Sequence, residues 1–289
     1  MNDLRDDNKF RRLGWLPWAL WTKYWREAWP LLVSLTLLLS VMQWLRVWIT
    51  SQVNLGALEV FLKAMPPAFE KLAGVPVSAI ATPTGRIAMG YVDPFLIFVC
   101  AVWAIARGSD CVSGEIGRGS MEMLLAQPVR RSSIVMVHGL GTSLGAAILA
   151  ASCWVGTWAG LHTFKVPAAV DAMHFVPAAM NVFGLMFFLA GVSTLVSSSG
   201  SQRWRTVGIL GGFYVVETLV KVVSRVTPGL NKLMYGTYLT AFEPQLLVIV
   251  PEEAWSRLIV YNGWLLGLGL VAYLTAIVVF NKRDLPAPL

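Results

Sequence analysis

Glu115, Arg118, Glu122, Arg130 and Arg131 crowd into one stretch, Cys111–Arg131, of a chain that is only 13% charged. Within it, Gly117, Met121, Leu124 and Leu125 project onto one helical face, with Arg118 and Glu122 flanking that face. Met and Leu fill a partner's groove and charges set register, so the chemistry this pattern suits is docking. The same pattern describes a helix resting on lipid headgroups, and periodicity alone does not choose between the two. Pro128 ends the helical signal, and Ser132 or Ser133 can cap the next helix.

A second charged pair lies in a greasy setting. Glu217 and Lys221 are four residues apart with Glu first, the favourable order for a helical ion pair. An ionisable residue at membrane depth is a functional candidate by default, so the pair is read as an intramembrane ion pair or part of a substrate path. Asn181 and Glu243 are weaker candidates of the same kind. The other reactive residue types organise no site. Cys100, Cys111 and Cys153 show no CxxC spacing and read as small buried residues. His138, His162 and His174 share no metal-ligand spacing. No G-x-x-x-x-G-K-[ST] occurs, so the chain has no P-loop with which to hold ATP.

The elements that carry these residues are membrane spans. The 289-residue chain is 56% hydrophobic, with a mean hydropathy of +0.62 and 13 Trp. Apolar runs of roughly 20 residues recur, the length that crosses a bilayer as a helix. The expectation is an all-α polytopic membrane protein with six spans, at about 30–48, 92–111, 134–163, 177–197, 206–223 and 258–280. Residues 1–29 form a separate N-terminal part. In it Trp15, Trp18, Trp25 and Trp29 lie opposite Lys23, Arg26 and Glu27, which predicts an amphipathic helix in the membrane interface. Residues 30–289 form one transmembrane domain. No small-x-small cleavage site follows the basic start, so the N-terminus is expected to be retained. Residues 50–92 and 224–257 are outer regions, partly helical and too short in their apolar pieces to span, so some are expected to re-enter. Span three is rich in small residues, including Gly141 and Gly145, which predicts a closely packed helix. The larger share of the 23 Lys and Arg residues falls on the side of the termini, which the positive-inside rule makes cytoplasmic. Flanking of spans also accounts for the net charge of +7 without nucleic acid.

The segment GEIGRGSMEMLLAQPVRR resembles the ABC-2 family of transporter permeases. The matching residues are Gly114, Glu115, Gly119, Ser120, Glu122, Leu124, Leu125, Pro128, Val129 and Arg131. MPPAFEKLAGV (65–75) is similar to the first outer loop of that family, and FNKRDLP (280–286) to its C-terminus. His138 stands where a Lys or another polar residue is more usual. The resemblance implies a permease subunit in the cytoplasmic membrane, an exporter, paired with a second copy. Two cytoplasmic ATPase subunits would bind ATP and Mg, and the chain itself would hold no cofactor. A coupling helix over 115–127, between spans two and three, would dock on the ATPase through Gly114, Glu115, Gly119, Met121, Glu122, Leu124, Leu125, Pro128, Arg130 and Arg131. Two other classes stay open on the residues alone. An ATP-independent carrier predicts inverted repeats and several mid-span charges. A membrane scaffold or immunity protein uses the helix only to hold a partner.

Overall fold

The structure is a computed structural model and describes residues 18–53, 64, 66, 68–127, 129–167, 169–227 and 229–283. Residues 1–17, including Trp15, much of the amphipathic piece at 55–72, and Pro128 lie outside the described residues. Six helical stretches are long and apolar enough to cross a membrane. Their main helices are α1 (Trp18–Gln52), α2 (Pro94–Ser109), α3 (Arg131–Thr163), α4 (Val176–Ser199), α5 (Arg203–Val226) and α6 (Ala254–Lys282). No strand occurs among the described residues. Helices are the solution that hydrocarbon imposes on an open chain, because each span must satisfy its own backbone.

The interface helix expected at Trp15–Trp29 is not a separate element among the described residues. Helix α1 runs unbroken through Pro30. Proline removes one N–H donor, but a break there would leave further backbone groups unpaired in lipid, and continuing costs less. Ser34 donates to the Pro30 carbonyl at 2.8 Å. Helix α2 starts later than the expected 92. Asp93 caps it by accepting from the Phe95 amide at 2.9 Å, with Pro94 at the first helical position.

The bundle is built around α4. Of its most apolar window 72% is buried, against 11% for α5. Helix α4 packs most extensively on α6 and also on α2 and α3, while α3 packs along α1. Gly145 explains part of that closeness, because a Cβ there would overlap the Trp103 ring of α2. Trp103 itself is fully buried and donates to the Thr142 carbonyl at 3.1 Å. The small residues of α3 thus serve packing within the protomer. Helix α5 is peripheral, with only Thr206, Leu210 and Ser224 buried.

The two outer regions fold into short helical pieces on the side opposite the termini. They include Ala68–Ala73, Val77–Ala81 and Pro83–Ala88 in the first, and Asn231–Gly236, Tyr238–Ala241 and Pro244–Ile249 in the second. Val75 and Ile80 of the first pack with Leu246 and Ile249 of the second. This contact roofs the loop side of the bundle.

Candidate functional site

The terminal end of α2 does not stop at Ser109. It continues through a π-turn, Asp110–Gly114, into a one-turn helix, Glu115–Gly117. A π-turn leaves amides without their usual partners, and such bulges recur at functional sites. Here α4 supplies the missing acceptor: Ser197 Oγ accepts from the amides of Val112 at 3.2 Å and Ser113 at 2.9 Å. The same hydroxyl donates to the Ser109 carbonyl at 2.9 Å. Gly114 is required by closeness, since a Cβ there would overlap the Asp110 carboxylate.

The turn ends at Gly119, whose φ of 71° is left-handed and favours glycine. A second short helix, Ser120–Leu125, follows. The expected continuous helix over 115–127 is therefore two pieces. The apolar side of the second piece faces the bundle. Met121 is 3% exposed and belongs to the core, and Leu124 and Leu125 pack half-buried against that core. Gly117, Arg118, Gly119, Glu122, Met123, Ala126 and Gln127 are the exposed residues, and Met123 is 69% exposed.

Two buried carboxylates hold this element to the bundle. Glu115 is fully buried. Lys23 of α1 reaches both of its oxygens at 2.8 Å, Arg118 reaches one at 2.9 Å, and Ser120 donates to the other. Asp110 receives Arg118 at 2.6 Å, Arg107 at 3.3 Å and Arg203 of α5 at 3.6 Å. Arg118 therefore bridges both carboxylates. Burial works against its charge, but Asp110 first and then Glu115 outweigh that and push its pKa further up. Four cations and two buried carboxylates thereby join α1, α2, α5 and the short helix.

The rest of the motif is tied nearby. Arg131 donates to the Arg283 carbonyl at 2.7 Å and lies over the Phe280 ring. Arg283 in turn donates to the carbonyls of Ser198 at 3.1 Å and Gly200 at 2.9 Å, closing the end of α4. Arg130 is exposed at the start of α3.

Glu217 and Lys221 do not form the expected ion pair. Lys221 spends its three donors elsewhere: on Glu243 at 2.7 Å and on the carbonyls of Leu239 at 2.7 Å and Phe242 at 3.1 Å. Arg225 also pairs with Glu243 and donates to the Leu72 carbonyl at 2.8 Å. Gln245 donates to the same carboxylate. Asn181 accepts from the Glu243 amide at 3.1 Å and donates to Asn262 at 3.0 Å. This second cluster fastens α4, α5 and α6 to both outer regions, and one Glu217 oxygen is left buried without a partner.

Sequence reasoning missed Lys23, Asp110, Arg203 and Ser197 as site residues. The i, i+3 spacing of Arg107 and Asp110, two opposite charges inside an apolar run, does allow them to pair, and they meet at 3.3 Å, but it does not disclose the other partners.

Six apolar helices with a polar clamp at each end of the bundle define a multi-pass membrane protein. A family model described as ABC-2 family transporter protein matches residues 30–285, and the chain belongs to that family. It is thereby a transporter membrane subunit of the permease type, whose family works with an ABC ATPase and the membrane. No curated protein matches the chain.

Proposed function

We propose that this chain is the permease subunit of an ATP-driven exporter and is moved by a separate cytoplasmic ATPase docked on the segment 115–127. One observation carries the reading. The short helix Ser120–Leu125 follows a glycine turn, and a push on it would be lost in bending unless it were tied to the spans. Ser120 holds the helix to Glu115, Met121 seats it in the core, and Lys23, Arg118, Asp110 and Arg203 carry that hold to the spans. Displacement of the helix is passed to α1, α2 and α5 together, a rigid-body switch. The docking contacts on the protein side are Glu122, Met123 and Ala126, flanked by Gly117 and Gly119, with Met121, Leu124 and Leu125 fixing the helix from beneath.

Both termini are cytoplasmic in this reading, as the basic residues of the terminal side favour. ATP and Mg belong to the ATPase, in two copies. The chain pairs with a second copy of itself through α5, where Gly208, Gly212, Val216 and Leu219 share an exposed face without neighbours in the protomer. The roof over the loop side supports loading from the cytoplasm and hence export.

Co-expression with its ATPase tests the reading. Met123→Asp is expected to abolish co-purification and permease-stimulated ATP hydrolysis while the thermal midpoint of the permease stays put. Full stimulation by Met123→Asp and by Glu122→Lys would overturn the docking assignment.

A further inference from the structure

A cavity of about 790 Å³ lies between α2 and α5, lined among others by Phe98, Ala106, Arg203, Trp204, Gly211 and Tyr214. Its composition is asymmetric along the membrane normal. Arg203 at its mouth is the one ionisable side chain of basic or acidic character in the lining, and everything deeper than Trp204 is apolar except Tyr214. The slot follows α5 from residue 203 to residue 215, about 18 Å at the rise of an α-helix.

The mouth is positioned for an anion. Asp110 is already met by Arg118 and Arg107 at shorter range, and Arg203 reaches it only at 3.6 Å. Its other contact is to the Ala106 carbonyl at 3.4 Å, and its side chain is 45% exposed. Trp204 beside it is 85% exposed at the start of a span, and Trp is a side chain that favours the headgroup level. A guanidinium with unspent donors at the interface binds phosphate bidentately. An apolar slot running inward from it takes an acyl chain.

We infer that the α2–α5 slot binds an anionic phospholipid of the leaflet on the terminal side, its phosphate on Arg203 and one acyl chain running inward past Gly211 to Tyr214. Charge complementarity at the mouth and the match of slot length to an acyl chain favour this occupant over a second copy of the protein. The same lipid would compete with Asp110 for Arg203 and so loosen α5 from α2, which makes the clamp responsive to lipid composition.

Native mass spectrometry of the full chain released from detergent tests this, with dioleoylphosphatidylglycerol and dioleoylphosphatidylcholine titrated separately. The wild type is expected to hold one phosphatidylglycerol about tenfold more tightly than phosphatidylcholine, the scale of one charge-assisted contact. Arg203→Gln should remove that preference. A Cβ at Gly211 would meet no atom of the protomer within 4 Å, so Gly211→Leu fills the slot without a clash and should lose both lipids. Ile209→Ala, at an exposed α5 position outside both the slot lining and the pairing face, should bind as wild type. Retention of wild-type phosphatidylglycerol binding by Gly211→Leu or Arg203→Gln overturns the proposal. So does displacement of the lipid by inorganic phosphate alone, which would make the site an anion site without an acyl slot. A lipid-free dimer that Gly211→Leu dissolves would put a second copy in the slot and overturn it as well.

Discussion

Glu243 holds two cations in a setting where neither has water to fall back on. Lys221 and Arg225 are 15% and 16% exposed at their side chains. Glu243→Ala leaves both uncompensated, and breaking a buried pair in this way costs about 3–5 kcal/mol. Glu217→Gln, four residues from Lys221, removes no ion pair and is expected to change stability by less than about 0.5 kcal/mol. Thermal unfolding in detergent separates the two, and equal losses would mean that Lys221 answers to Glu217. The pairing was hidden from the sequence for a geometric reason. Helical spacing exposes partners three and four residues away, whereas Glu243 lies in an irregular outer segment that only the fold returns to α5. Glu115 was legible as a motif residue, but its strongest partner, Lys23, is 92 residues distant. Glu115→Ala removes the nearest partner of Lys23, which keeps Glu27 at 3.8 Å, and leaves Arg118 on Asp110 alone. Because Lys23 and Arg118 are 33% and 44% exposed, water recovers part of the cost, and the loss is expected to be about 1–3 kcal/mol. Glu115→Gln, which keeps the Ser120 contact as an acceptor, should lose less in the same melt.

At the scale of the element, the segment after α2 shows how an apolar stripe that suits docking is used for packing within the chain. Projecting Gly117, Met121, Leu124 and Leu125 at 100° per residue assumes one uninterrupted helix. The left-handed Gly119 falls inside that projection and takes Gly117 off it, while Met121, Leu124 and Leu125 stay on one side of a single short helix. The apolar side of Ser120–Leu125 turns into the bundle, and Met123, outside the projected stripe, is left exposed. Glycine at 117 and 119 signalled a break, but not the angle at which the chain resumes. The two methionines therefore predict opposite phenotypes. Met121→Ala opens a core position and is expected to cost about 2–4 kcal/mol in the thermal melt. Met123→Ala is expected to leave the melt within about 0.5 kcal/mol of wild type and to weaken ATPase binding instead. A melt in which Met123→Ala falls as far as Met121→Ala would show that the exposed methionine is packed after all.

The whole molecule is a core of five long helices with α5 leaning on it, and α5 is held at its ends more than along its length. Arg203 ties one end to Asp110, and Lys221 and Arg225 tie the other to Glu243. Between them most of the helix faces outward. A rod pinned at two polar ends can tilt when either pin is moved, and the pin at Arg203 belongs to the clamp that holds the short helix. The six spans behind this architecture were legible because lipid demands long apolar runs, a constraint strong enough to survive without any knowledge of packing. Which side the clamp occupies follows from the distribution of Lys and Arg, and that is open to direct measurement. Cys100, Cys111 and Cys153 are fully buried, so the native chain offers a low background to a membrane-impermeant maleimide. Tyr235 on the loop side is 81% exposed, and Met123 on the terminal side 69%. In intact cells Tyr235→Cys is expected to be labelled and Met123→Cys to be labelled only after the membrane is opened. Labelling of Met123→Cys in intact cells, with Tyr235→Cys silent, would turn the protein over and remove the short helix from the reach of any cytoplasmic ATPase.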